Sequence, residues 1–274
     1  MNKRVLLHII LFVLIFGCDN IKDEKQVPFE KLSSDVTGIN FSNIITPDIE
    51  TSENLFDYDY FYNGSGVGIA DINNDGLKDV LFTANQEMNR LFLNKGNLTF
   101  EDITESSNIN SKNKKWSSGV TFADVNNDGW LDIYISQGGP YNSNSRKNLL
   151  LINNQDLTFS EKAEEYGLDD NGISTQSAFF DFDKDGDLDC VVMNENEFYG
   201  YDPISFFKKY ENKSVLMENS SHLYEQKDGK FINITEKAGL LSPTFGLGLC
   251  ISDINNDCLF IHISEPTRRD QISY

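Results

Sequence analysis

The chain has 274 residues, 39% hydrophobic and 12% aromatic, enough for a sizeable core in one large domain or two small ones. Its 23 basic residues stand against 43 acidic ones, a formal charge of −20, which repels nucleic acid and anionic membrane and suits cations. Cys18, Cys190, Cys250 and Cys258 show neither the spacing of a zinc site nor that of a disulfide framework.

In chain order, Lys3 and Arg4 precede an apolar run over residues 5–16. About 20 apolar residues are needed to span a bilayer, so this run reads as a secretory signal rather than a membrane helix. Its end, "LIFGC", resembles a bacterial lipobox, in which the cysteine (here Cys18) is lipidated and becomes the new N-terminus. An ordinary signal peptide that happens to contain a cysteine is the alternative. Lys22, Asp23 and Glu24 resemble the acidic tract of surface-exported lipoproteins, or form a plain solvated linker. The expected layout is a signal peptide over 1–17, a flexible acidic linker over 18–35 and a folded part over 36–274.

"TGINF" (37–41) reads as a terminal strand able to close a ring with the last unit of the chain. Phe56, Tyr58, Tyr60, Phe61 and Tyr62 form an aromatic cluster that could stack on sugars; packing within the fold is the plainer reading.

From there the sequence repeats. Three complete copies of one nonapeptide appear: "DINNDGLKD" at 71, "DVNNDGWLD" at 124 and "DFDKDGDLD" at 181; a damaged copy, "DINNDCLFI", starts at 253. Internal periods of this length signal repeat architectures. Short apolar runs precede each loop ("VGIAD", "VTFAD", "AFFD", "LCISD") and follow each intact one ("VLFTA", "IYISQ", "CVVMN"). They are β-branched and aromatic, as buried strands are. Then come "NRLFLNKGNLTFEDIT" (89–104), "NLLLINNQDLTFSEKA" (148–163) and "HLYEQKDGKFINITEKA" (222–238), each two apolar runs around a turn rich in Asn, Asp and Gly, which is a hairpin signal. One unit is therefore strand, acidic loop, strand, hairpin. That predicts an all-β fold, a β-propeller of four-stranded antiparallel blades, with three blades and the start of a fourth. The longest insert, between the second and third strands of the third unit, contains "DPISFFKKYENK" (202–213). Asp202 is placed to cap a helix and Pro203 to open it, with Phe206, Phe207 and Tyr210 on one sector that covers the blade edge; a ligand-facing insert is the alternative.

The loop chemistry points to a cation. Acidic or amide side chains at positions 1, 3, 5 and 9, glycine at 6 for a left-handed turn and a carbonyl at 7 make an oxygen cage, and hard oxygen ligands in a flexible cage suit Ca²⁺. The candidate ligands are Asp71, Asn73, Asp75 and Asp79 with the Leu77 carbonyl; Asp124, Asn126, Asp128 and Asp132 with the Trp130 carbonyl; and Asp181, Asp183, Asp185 and Asp189 with the main chain of Asp187. The third set carries the most charge and is expected to bind most tightly. An EF-hand needs Glu at position 12 and flanking helices; position 12 here is Phe82, Ile135 or Val192, between strands. An acidic turn that binds nothing is the remaining alternative, because Asp, Asn and Gly favour turns by themselves. In the fourth copy Cys258 replaces the glycine and the closing aspartate is missing, so Asp253, Asn255 and Asp257 are expected to bind calcium weakly or not at all.

At these residues the chain resembles the FG-GAP/VCBS repeat family, the propeller type of integrin α-subunit heads, and bacterial secreted relatives of cartilage acidic protein that often carry an ASPIC/UnbV domain. The loops, "YFYNGSGVGIADINNDG" (60–76), "FEDITE" and "FINITEKAGL" carry the likeness, over residues 36–264. It implies a ring of about seven blades, calcium in the blade loops and extracellular binding, and it does not imply a catalytic residue. The chain departs from it in having three full units and part of a fourth, with no ASPIC/UnbV region following, and reads as a fragment.

G-x-S-x-G, P-loop and H-E-x-x-H motifs are absent, and His8, His222 and His262 stand apart in sequence, so the chain is not expected to be an enzyme. The favoured function is a calcium-binding, lipid-anchored extracellular propeller on the bacterial outer membrane, for adhesion or for recognition of a protein or glycan, with membrane contact through the lipid alone and no nucleic-acid partner. A polysaccharide lyase or hydrolase on the same scaffold and a non-functional gene fragment are the alternatives.

Overall fold

The computed structural model describes residues 29–110, 116–198 and 202–252. The signal run, Cys18 and the fourth acidic loop lie outside them. A compact unit begins at Ser34.

Three four-stranded antiparallel sheets follow one another along the chain, each with its strands in sequence order. Blade one is β1 (Val67–Ala70), β2 (Asp79–Phe82), β3 (Arg90–Asn94) and β4 (Phe100–Asp102). Blade two is β5 (Ser117–Ala123), β6 (Asp132–Gln137), β7 (Leu149–Asn153) and β8 (Phe159–Glu161). Blade three is β9 (Ile173–Phe180), β10 (Asp189–Glu195), β11 (His222–Lys227) and β12 (Lys230–Asn233). The fold is all-β and propeller-like, as the repeat pattern predicts; the expected opening strand of a fourth blade does not form over its described residues, 249–252, where the chain packs Leu249 and Ile251 on blade three without a ladder. The register is the same at each loop: Ala70 pairs with Asp79, Ala123 with Asp132 and Phe180 with Asp189. The nonapeptide thus always leaves the sheet after the residue before position 1 and re-enters at position 9.

Because side chains alternate across a strand, each inner blade feeds two cores. Ile133 and Ile135 of β6 and Leu149 and Leu151 of β7 pack with Leu81 and Leu91 of blade one. Their neighbours Tyr134 and Leu150 point the other way, to Cys190 and Val192 of blade three. Val191, one residue out of step, faces Leu240, Leu249 and Ile251 beyond the third blade. This explains why β6 and β10 are buried along their whole length, whereas β1 alternates and leaves Val67 and Ile69 exposed. At the axis the inner strands approach closely: an added Cβ on Gly66 would lie 2.6 Å from the Ser118 carbonyl oxygen, and one on Gly119 would lie 2.5 Å from that of Thr175. The Thr83 and Ser118 hydroxyls cross the gaps to Ser118 O and Ser174 O.

The Asp228–Gly229 turn of the last hairpin has φ of 53° and 72°, the pair of left-handed residues that a two-residue hairpin of this sequence favours. The fourth strands of the first two blades run into one helical turn each, α2 (Thr104–Ser107) and α3 (Ala163–Tyr166), ended by left-handed Asn108 and Gly167. The "DITE" and "EKA" segments are therefore strand exits. Thr104 Oγ1 accepts the Leu91 N–H and, in the third blade, Thr235 Oγ1 accepts that of Leu223, tying exit to third strand.

The expected terminal strand over 37–41 does not form. The stretch follows a single helical turn, α1 (Ser34–Thr37), and Gly38 has φ of 78°. Phe41 instead stacks on Phe82 at 4.9 Å, covering part of the exposed face of blade one, and Asn43 exchanges hydrogen bonds with Asn85. The expected insert helix is present as α4 (Pro203–Lys209), with Asp202 accepting from the N–H groups of Ile204 and Ser205. Phe206 packs on Tyr210 and stacks on Phe245, while Phe207 is exposed. A second helix, α5 (Lys213–Glu218), follows.

Candidate metal centres

Each nonapeptide is a chain of carboxylate-to-amide bonds. In the first, Asp71 Oδ1 accepts from Asp75 N (3.1 Å) and Oδ2 from Gly76 N (2.8 Å), Asn73 Oδ1 accepts from Asp75 N (3.2 Å), and Asp75 Oδ1 accepts from Leu77 N (2.8 Å). The second repeats this with Asp124, Asn126, Asp128 and Trp130. In the third, Asp181 takes Lys184 N and Gly186 N, Asp183 takes Asp185 N, and Asp185 takes Asp187 N. Glycine at position 6 has φ of 87°, 86° and 97°, the left-handed turn expected of it. Position 4 is left-handed too, in Asn74, Asn127 and Lys184. Asparagine tolerates that conformation and was a readable signal; lysine was not.

Position 9 differs from the others. Asp79, Asp132 and Asp189 are buried. One oxygen of each accepts the N–H of position 2 (Ile72, Val125, Phe182), and the other the N–H of a residue in the third strand (Asn94, Asn153, Gln226). Burial pushes the Asp132 and Asp189 carboxyls up to about 6 and also raises Asp79, while these N–H bonds pull the other way. Asp75 is held low by the Leu77 N–H and the Asn73 amide.

In the third loop single carboxylate oxygens of Asp181, Asp183 and Asp189 lie within 4.8 Å of one another, the sole acidic group of this kind among the described residues. The first two loops have Asn at position 3. Asp185 and Asp187 stand outside the group of three, and Leu77, Trp130 and Asp187 are fixed through their N–H groups. The donor set fits a hard cation: each carboxylate oxygen that accepts one N–H keeps a second lone pair, and converging carboxylates repel until a positive charge joins them.

Neighbouring loops are tied. Asn74 Nδ2 donates to Gly129 O (3.0 Å), and Asn153 Nδ2 donates to Ile72 O (2.8 Å) and to Leu131 O (3.1 Å). His222 is not isolated in space. It opens β11, its Nδ1 faces the Asp170 carboxylate and its Nε2 the Met217 carbonyl at 2.8 Å. Two acceptors make both ring nitrogens donors. Burial opposes that charge, but Asp170 outweighs it and raises the imidazole; His222 and further donors likewise hold Asp170 low against its own burial. With Tyr224 O–H on the same carboxylate, this is an internal brace of the third blade.

Antiparallel four-stranded blades that repeat along the chain, each with the same acidic loop between its first two strands, define a propeller-like protein built from sequence repeats. The FG-GAP-like repeat matches residues 58–135, all of blade one and the start of blade two. Cartilage acidic protein 1 of Xenopus tropicalis is 31% identical over 134 residues, 49% of this chain. That match spans about a fifth of the relative, 20% of its length.

Proposed function

We propose that this chain is a calcium-stabilised, extracellular recognition propeller that binds a protein or glycan ligand and does not transform it. Asp181, Asp183 and Asp189 support the calcium part: three carboxylates within 4.8 Å, in a loop that recurs at the same register in every blade. Positions 1, 3, 5 and 9 and the position-7 carbonyl would hold the ion in each copy. Bound calcium supplies positive charge against carboxylate repulsion and so clamps the β1–β2, β5–β6 and β9–β10 turns. The extracellular setting rests on the signal run and Cys18, through which the chain would be lipid-anchored at a bacterial outer membrane.

The test is thermal unfolding of the mature chain in EDTA, in 10 mM Ca²⁺ and in 10 mM Mg²⁺. Extracellular calcium modules bind with Kd on the order of 10⁻⁴ to 10⁻³ M, so a site at the tighter end adds about 2.7 kcal/mol, or roughly 5–10 °C in a domain of this size. A rise specific to Ca²⁺ is expected. Equal melting in all three buffers would refute the assignment.

A further inference from the structure

At the end of the blades opposite the nonapeptides lies a cleft of about 400 Å³. Its walls come from three distant segments: the turn before β1, the β6–β7 connection and the residues just after β10. A pocket of this size falls in the range that holds small ligands.

The first wall is built around one buried side chain. Asn54 Oδ1 accepts from Phe56 N and Asp57 N, and its Nδ2 donates to Asp48 O, Thr51 O and Asp57 Oδ2. Such a set of bonds fixes the turn, yet what the turn presents is a phenyl ring, Phe56, 93% exposed on the rim of the cleft. Its neighbours in the aromatic run behave differently: Tyr58 and Phe61 are buried against Trp116. A rigid turn that holds an aromatic ring in water gives up hydrophobic stabilisation that burial would supply.

Among the described residues, two donors on side chains that line the cleft lack partners. Arg146 is 8% exposed; Nη1 donates to Tyr141 O at 2.9 Å and Nη2 faces Glu197 Oε2 at 3.6 Å, but Nε meets no acceptor. Asn196 is 1% exposed; its Oδ1 accepts from Phe198 N and Tyr210 O–H, but Nδ2 meets no acceptor. Buried polar atoms are almost always hydrogen-bonded, and two that are not, on residues lining one cleft, mark the place of an acceptor that the described residues do not supply.

We infer that this cleft binds an uncharged saccharide, whose hydroxyls accept from Arg146 Nε and Asn196 Nδ2 and donate to the cleft carboxylates, and whose C–H face stacks on Phe56. Three classes of ligand compete, and charge separates them. Asp57, Asp59 and Glu197 line the cleft against one guanidinium, and the whole chain carries −20, so an acidic ligand is repelled. A cation has no lone pair for Arg146 Nε or Asn196 Nδ2. A neutral sugar hydroxyl both accepts and donates. This assignment rests on the recognition reading above and narrows its ligand to glycan.

The test is native affinity electrophoresis of the mature chain in Ca²⁺, through gels containing glucan, mannan, galactan or xylan, with polygalacturonate and polylysine as charged controls. Retardation by at least one neutral polymer is expected. Phe56→Ala should weaken it at least tenfold without moving the melting temperature, because the ring is exposed, and Asn196→Asp, which replaces the donor by an oxygen, should weaken it as well. Failure of all four neutral polymers, retardation by a charged control alone, or retardation that Phe56→Ala leaves intact overturns the assignment. The calcium reading is judged separately: a chain with a Ca²⁺-specific thermal shift and no retardation refutes the saccharide alone, and retardation without the shift leaves the saccharide standing.

Discussion

The carboxylate of Asp132 has two tasks. It stands at the closing position of an acidic loop, and it also receives the N–H groups of Val125 and Asn153 in the interior. Asp132→Ala strands both donors away from water, at about 1–3 kcal/mol for each. The expected result is a lower melting temperature in EDTA as well as in Ca²⁺, with Asp132→Asn milder because one acceptor oxygen remains. Asp128→Asn, on the exposed side of the loop, should melt like the parent in EDTA and lose only the calcium increment. An Asp132→Ala chain indistinguishable from the parent in EDTA would show that position 9 is no staple. The nine-residue pattern made positions 1, 3, 5, 6 and 9 legible from oxygen chemistry and turn sterics. The second task of position 9 was not legible, since its partners Asn94, Asn153 and Gln226 lie 15, 21 and 37 residues further on. No local spacing encodes them.

Strands were legible wherever burial imposed a period of two or an unbroken apolar run, as in "DIYISQ" of β6 and "DCVVMNE" of β10. "TGINF" shows the limit. Its apolar residues belong to a strand in composition, but Gly38 sits in a left-handed conformation whose added Cβ would strike the Phe100 carbonyl oxygen, and Phe41 finds its partner in Phe82 rather than in a ladder. The insert helix α4 was legible because a cap is local chemistry. Asp202→Ala removes the acceptor for two orphan N–H groups, at about 1 kcal/mol. Such a short helix is not stable alone, so the loss should appear locally. Amides of residues 204–210 should exchange faster and trypsin should nick earlier at Lys208 and Lys209, with global melting unchanged. Unaltered exchange would mean that Phe206 on Phe245 and Tyr210, not the cap, holds α4 in place.

On the scale of the molecule, the blades converge on a cavity of about 430 Å³, lined by the ends of the inner strands and by Glu195. Nothing in the sequence singled out Glu195 among 43 acidic residues, and Arg146 and Asn196 were equally invisible, because topology alone brings them beside residues 56–60. Glu195 is 1% exposed; Asn63 Nδ2 approaches Oε1 at 3.5 Å and Oε2 has no partner among the described residues. Burial pushes its carboxyl up to about 9, against the weaker pull of Asn63. A raised folded pKa means that the folded chain holds a proton the unfolded chain has released. Stability from this group is complete below the unfolded value of 4.5 and declines as pH rises towards about 9, by up to about 1.4 kcal/mol per pH unit for one proton. His222, also raised, adds a decline in the same direction above 6.5, whereas Asp170, lowered, acts only at the acid end, where stability is lost as pH falls below 3.8. Melting in saturating Ca²⁺ should therefore fall from about pH 6 to about pH 10. Glu195→Gln keeps the shape and cannot ionise, so it should remove part of that fall: near parity with the parent at the acid end, and a growing advantage as pH rises through 9. His222 remains in both chains, so the difference between them isolates Glu195. Parallel curves for the two chains across this range would mean that Glu195 is ionised in the folded state and that its oxygens have found partners in the axial cavity.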